Sequence, residues 1–166
     1  MKKIILIRHA KSDWDNPSLP DYDRPLANRG LRDAPQMAIS LKNRGVHIDL
    51  ICSSTAQRAK QTACITAEVL GYSEEEIHWE KSLYHASASH LLQFIQLQSD
   101  QIQTLVLVGH NPGLTELIIR LGVNLDNLPT AGQFAFTVLS EDWKDLSAAN
   151  CRFEWWDSPK KPGAAD

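Results

Sequence analysis

The sequence predicts an α/β protein: a three-layer α/β/α sandwich on a mostly parallel sheet with an antiparallel edge. Short aliphatic runs such as IILI and LVLV alternate with longer stretches of helical periodicity. That alternation implies βαβ crossovers and therefore parallel strands with helices on both faces. The runs themselves are continuously apolar, as strands covered on both faces require.

IILI, from Ile4, is the first strand. From Asn28 to Gly45 the apolar residues Leu31, Ala34, Ala38 and Leu41 recur at helical spacing, and Arg44-Gly45 reads as a stop. IDLICSS is the second strand. AQRAKQTACITAEVLGY follows as a helix, with Ser54 or Thr55 as N-cap and Gly71 as C-cap. IHWE reads as a short third strand and ASASHLLQFIQLQ as a helix. TLVLVGH is the next buried strand. PGLTELIIRLG carries Leu114, Leu117, Ile118 and Leu121 at i, i+3, i+4 and i+7 of a helix. QFAFTVLS and CRFEWW read as two antiparallel edge strands, with the Trp155-Trp156 pair half-buried. The tail SPKKPGAAD is rich in Pro and Gly and is expected to be loose at its end.

A length of 166 residues suits one domain spanning 1–166, and no repeat or linker divides it. Hydrophobic residues make up 43% and charged residues 22%, with a formal net charge of −3. A nucleic-acid or membrane-surface binder would carry a basic excess, so neither partner is expected. No apolar stretch approaches the roughly 18 residues of a membrane span. Cys52, Cys64 and Cys151 are odd in number and show no CxxC or Cys/His metal spacing. Reduced thiols and a cytoplasmic location are the expectation.

Chemistry gathers at strand ends. IILI runs straight into Arg8-His9, ICSSTAQR places Arg58 in the first turn of the next helix, and LVLVGHNPG places His110 in the loop after its strand. In open α/β sheets these C-terminal ends share one side, and the crevice there is the usual ligand site. Helix N-termini facing the same crevice favour an anion. A guanidinium offers a planar fork for two phosphate oxygens. One imidazole with a free lone pair can attack phosphorus, and a second, protonated one can neutralise the transferring group. Neither a metal nor another cofactor is needed for such a site. Each residue alone is ordinarily a surface charge or a hydrogen-bonded structural group; their joint placement carries the reading.

LIRHAKS, DYDRPLANRG, SSTAQRAKQTA, VGHNPG and LPTAG, in that order, resemble the histidine phosphatase, or phosphoglycerate-mutase-like, superfamily. Within it the chain is similar to the small SixA-type phosphohistidine phosphatases, from the first strand to about Gly132. The resemblance implies the phosphoglycerate-mutase-like fold. It also implies His9 as a transiently phosphorylated nucleophile, Arg8 and Arg58 clamping the phosphoryl oxygens, and His110 completing the pocket. His9 should then be neutral and His110 protonated, with pKa values pushed apart.

The chain departs from the family pattern in two places. Mutase-type members carry RHG and a Ser-x-Trp-Asn run; here RHAKSDWD puts Asp15 where Asn would hold phosphate, and Asn16 is the substitute. Larger members place an acid/base Glu after the third strand, in a Leu-x-Glu context, whereas this chain has EKSLYHAS. The general acid is unassigned, with Glu80 first among Glu80, Asp23, Asp13 and His85. A phosphoramidate tolerates that, because its leaving imidazole carries its own proton. A phosphate monoester gains much more from an acid, typically about 10²–10⁴-fold. Between Leu83 and VGHNPG there is room for one helix and no lid, which suits a phosphorylated protein side chain.

The expected activity is therefore cofactor-independent phosphatase chemistry through a phosphohistidine intermediate, on a phosphohistidine-bearing protein. The alternatives are a small phosphorylated substrate hydrolysed by a phosphomonoesterase of the same superfamily, and a phosphoprotein-binding module without turnover. A metallohydrolase is disfavoured because the histidines lack clustered ligand spacing. Two features carry plainer readings: Arg24 belongs to the turn before the first helix, and Lys160 and Lys161 to a solvated tail.

Overall fold

Successive residues of the first strand, β1 (Lys2–Arg8), face opposite layers of the molecule. In the computed structural model, which describes residues 1–159, Ile4 and Leu6 pack into one core and Ile5 and Ile7 into another. This is the two-residue period of a strand buried on both faces. The other strands are β2 (Leu50–Ser53), β3 (His78–Trp79), β4 (Thr104–Gly109), β5 (Gln133–Val138) and β6 (Cys151–Asp157). They form one sheet in the order β3-β2-β4-β1-β5-β6. β1 to β4 run parallel; β5 is antiparallel to β1 and to β6.

Helices α1 (Asn28–Asn43) and α2 (Gln57–Leu70) cover the Ile5 face, and α3 (Ala88–Gln96) and α4 (Gly113–Arg120) the Ile4 face. The expected α/β/α sandwich is thus observed. Leu114, Leu117 and Ile118 of α4 are buried, as is Leu121 at its C-cap. No helix among the described residues is long and apolar enough to cross a membrane.

Three local expectations are corrected. Leu31 is 46% exposed; the inward face of α1 uses Gly30, Ala34, Met37, Ala38 and Leu41 instead. Gly30 is inward because a Cβ there would lie 2.2 Å from the Lys11 carbonyl oxygen, so only glycine lets the helix approach the loop after β1. The N-cap of α2 is Ala56 with no side-chain bond, since the Ser54 hydroxyl is engaged with His110 and with the Ala56 N–H. β5 is not at an edge: it is flanked by β1 and β6, and Phe134, Ala135 and Phe136 are buried. The edge strand on that side is β6, where Trp155 lies under the Arg44 guanidinium at 3.7 Å.

All three cysteines are free thiols, Cys52 buried and the others half-buried; burial pushes Cys52 and Cys151 up to about 12 and Cys64 to about 11. Lys160, Lys161 and the rest of the expected loose end lie outside the described residues.

Register fixes the position of the functional residues. Arg8 pairs with Gly109 and Ser53 with Val108, so β1, β2 and β4 end level and release His9, Ser54 and His110 side by side. The loop entering β5 closes the same end: Arg8 N–H donates to Gly132 O and Ala131 N–H to His9 O. Gly113, at the start of α4, packs against the 83–87 loop so closely that a Cβ would lie 2.1 Å from Ala86 O. Gly113→Ala is expected to cost about 1–3 kcal/mol, the usual range for overpacking. A lowered urea midpoint with an unchanged m-value would show it.

Candidate active site

His9 follows β1 with its ring buried and both nitrogens committed. Nδ1 is 2.7 Å from the Ala10 carbonyl oxygen, which can only accept, so Nδ1 carries the proton. Nε2 is left with its lone pair and accepts from Arg58 Nε at 3.3 Å. Ala10 is itself held by its N–H on Thr62 Oγ1, whose hydroxyl donates back to the Arg58 carbonyl in α2. One turn of α2 thus sets the tautomer of His9 and the placement of Arg58 together.

His110 is 4% exposed and stands 5.2 Å from the His9 ring, centroid to centroid. Its Nε2 lies 2.8 Å from Ser54 Oγ, and its buried Nδ1 has no hydrogen-bond partner. Arg8 donates one Nη1 bond to Leu128 O, in the LPTAG segment, while its buried Nε is unpartnered. A buried polar nitrogen without a partner is costly, and these two lie where the sheet gathers its cations.

The pKa expectation for the histidines is corrected. Burial first, then Arg58, Arg8 and Arg24, pushes His9 down to about 3. Burial first, then His9 and Arg58, pushes His110 down to about 2. The two are not split: both are neutral, because each is desolvated beside guanidiniums that repel a further positive charge. Arg8 too is lowered, by burial and then by Arg58.

Sequence reading missed Asp21 and Tyr84. Asp21 sits in a 3-10 turn, Asp21–Asp23, and its carboxylate is a hub. It takes Arg58 Nη2 at 3.0 Å, Arg24 Nη2 at 2.9 Å, the Tyr84 hydroxyl at 2.6 Å and His85 Nε2 at 3.2 Å. The Asp21 carbonyl takes Arg58 Nη1 at 2.7 Å. Although burial opposes it, the hydrogen bonds from Tyr84, Arg24 and Arg58 and the Arg58 charge hold the carboxyl well below the usual carboxylate range. The Asp-x-x-Arg spacing of Asp21 and Arg24 was the available signal, read only as a turn. Arg24 does serve that turn: it is buried, bonds Ser12 Oγ and Asp13 O, and stacks 3.4 Å over Trp14.

The remaining predicted residues fall elsewhere, except His85. Asn16 lies in the exposed loop after β1, its Oδ1 taken by Ser18 N–H, on a cleft shared with Trp14, Leu19 and Asp21. Asp15 is exposed in the same loop, where its N–H donates to Asp13 Oδ1. Glu80 caps a 3-10 turn through Ser82 N–H and meets His78; none of its bonds reaches His9, Arg58 or His110. Asp13 and Asp23 also have no bond to that cluster among the described residues. Among the described residues no group of three or more His, Cys, Asp or Glu side chains is placed to hold a metal.

The family model described as histidine phosphatase superfamily (branch 1) matches residues 4–87. A protein of Arabidopsis thaliana designated chloroplastic is 33% identical over 162 residues, covering 93% of this chain and 74% of that one. A 2,3-bisphosphoglycerate-dependent phosphoglycerate mutase of Borrelia garinii is 33% identical over 75 residues, 44% of this chain and 30% of its own. Among solved structures, SixA of Agrobacterium tumefaciens, named as a candidate phosphohistidine phosphatase, superposes with a TM-score of 0.79 at 28% identity. It covers 95% of this chain and 98% of its own.

The neutral imidazoles make a prediction about stability. In the unfolded chain a histidine titrates near 6.5, so between about 3 and 6.5 the unfolded state holds more protons than the folded one. Stability should therefore fall as pH drops from about 6.5, by up to about 1.4 kcal/mol per pH unit for each imidazole. Protonation of the depressed Asp21 carboxyl acts in the same direction at lower pH. Urea melts of wild type and a His9→Gln/His110→Gln variant across this range should show a shallower slope for the variant. Equal slopes would exonerate the two histidines.

Proposed function

Because the chain belongs to the histidine phosphatase superfamily (branch 1), we propose that it hydrolyses a phosphoryl group through a phosphoenzyme formed on His9, with phosphohistidine in a protein as substrate. One observation carries the reading: His9 Nε2 keeps a lone pair beside a buried Arg58 guanidinium while Nδ1–H is locked on Ala10 O. A nucleophile needs that neutral form, and its lowered pKa keeps it neutral at working pH.

The phosphoryl oxygens fall to the Arg8 and Arg58 donors and to His110 Nδ1, the partnerless groups of the crevice among them. A dianion there favours the charged form of each neighbour, so His110 gains its proton when substrate arrives. Arg58 already has its Nη1 and Nη2 on Asp21, which leaves Nε as its nearest donor to the His9 side. The bonds among Asp21, Arg58 and Arg24 hold that guanidinium in place before substrate binds, and preorganised donors of this kind are where catalysis of phosphoryl transfer resides.

The phosphohistidine substrate is supported by the likeness to SixA structures and by the single short helix between Leu83 and β4, which leaves the crevice without a covering insertion. Three free thiols fit the cytoplasmic assignment. The test is a single-turnover reaction of a ³²P-phosphohistidine protein with chelator present. Wild type is expected to acquire acid-labile label and release phosphate, His9→Ala neither, and His110→Ala slow label. Equal labelling of wild type and His9→Ala would refute the assignment.

A further inference from the structure

The loop after β3 holds an imidazole that phosphorylation of His9 leaves unused. His85 has a left-handed backbone, φ 54°. Only a few per cent of non-glycine residues adopt that region, and they concentrate where a site dictates the backbone. Its ring stacks on Tyr84 with centroids 4.0 Å apart and stands 5.9 Å from the His110 ring. Nε2 is 3.2 Å from Asp21 Oδ2, within ion-pair range but outside hydrogen-bond geometry, and Nδ1 has no hydrogen-bond partner among the described residues.

Five side chains close a ring. His9 Nε2 meets Arg58 Nε at 3.3 Å, Arg58 Nη2 meets Asp21 Oδ2 at 3.0 Å, and the same Asp21 oxygen meets His85 Nε2 at 3.2 Å. The His85 ring then faces that of His110, which faces that of His9. A phosphoryl group held by Arg58 and His110 has one imidazole at each end. His9 is 7% exposed and buried at the strand end, while the His85 side chain is 56% exposed at the mouth. Phosphoryl transfer runs in line, with nucleophile and leaving group on opposite sides of phosphorus. The leaving atom of a substrate attacked by His9 is thus on the His85 side.

We propose that His85 is the proton donor to the leaving group, with Asp21 as its orienting carboxylate; this rests on the phosphoenzyme reading above. The lone pair of His9 Nε2 forms the N–P bond as the bond from phosphorus to the leaving oxygen or nitrogen breaks. The electrons released onto that atom take the proton from His85 Nδ1. His85 Nε2–H stays beside Asp21, which Tyr84, Arg24 and Arg58 keep anionic; a carboxylate next to one ring nitrogen leaves the other for proton transfer, as in acid–base dyads generally. In the second step neutral His85 Nδ1 takes a proton from the attacking water. Its oxygen bonds to phosphorus as the bond to His9 breaks, and phosphate leaves. The charged and titratable groups facing His85 are Asp21, Arg58 behind it, His110 and Tyr84. The acid extends the substrate class from phosphoramidates to alkyl phosphate monoesters, whose alkoxide cannot leave readily without a proton.

The experiment compares wild type, His85→Gln and His85→Ala on 4-nitrophenyl phosphate, whose leaving group departs unprotonated, and on ethyl phosphate. His85→Gln is expected to lower kcat/KM on ethyl phosphate by about 10²-fold or more, while the nitrophenolate burst keeps its wild-type rate. Added imidazole should restore ethyl phosphate turnover to His85→Ala. Equal losses on both substrates would assign His85 a structural role and overturn the proposal. So would ethyl phosphate turnover that is unchanged in the variants or missing from wild type. A wild type without burst or label would overturn the phosphoenzyme reading itself, and the proposal with it.

Discussion

A guanidinium taken almost wholly out of water must be answered by a counter-charge, and the bonding of Arg58 to Asp21 is that answer. Arg58 is 4% exposed, and both terminal nitrogens go to Asp21, one to its carboxylate and one to its carbonyl. Removing one member of such a pair leaves the other unpaired, and a buried unpaired charge is far costlier than the pair itself. Every other feature of the site hangs from this contact. Arg24 reaches Asp21 from the same turn, Tyr84 and His85 reach it from the loop after β3, and Arg58 Nε continues to His9. Segments far apart in sequence are thereby assembled around one carboxylate.

The electrostatic balance of the crevice follows. Asp21 satisfies the outer side of Arg58 but offers nothing to Arg8 Nε or His110 Nδ1. Guanidinium charge and unpaired buried nitrogens sit on the inner side, where three parallel strands end. Both histidines respond by staying neutral, since a proton there would meet two guanidiniums in a desolvated space. Charge complementarity then becomes part of binding: a phosphoryl dianion supplies what the protein withholds. The site is prepared for an anion by being short of one.

The parts legible in the sequence were those written in local pattern. Aliphatic runs mark β1, β2 and β4, and the residues that follow each run are Arg8-His9, Arg58 and His110, so topology alone brings them together. Asp21 was legible only through Arg24, three positions on; its other partners Arg58, Tyr84 and His85 lie 37 or more positions away and no period links them. The exposure of Leu31 was hidden for a related reason: a helical period identifies a face, but the close approach of Gly30 to Lys11 decides how that face is rotated. The common direction of the two histidine shifts escaped because roles were assigned for a bound phosphate, whereas burial acts on both rings alike.

The lack of a glutamate in the Leu-x-Glu place after β3 is the sequence's main argument for a phosphoramidate substrate. The structure changes the weight of that argument. The same loop carries His85, and a carboxylate is still present, but it arrives from Asp21 on another segment and touches the imidazole. A carboxylate held ionised by Tyr84, Arg24 and Arg58 cannot itself donate a proton; it can orient an imidazole that does. On the proposed role of His85, acid function divides between two residues, one supplying charge and the other the proton. Substrate preference then turns on access as well as leaving-group chemistry. The mouth is bordered by exposed Trp14 and half-buried Tyr22 and Tyr84, with no inserted lid between Leu83 and β4, and the proposed protein-borne substrate relies on that openness.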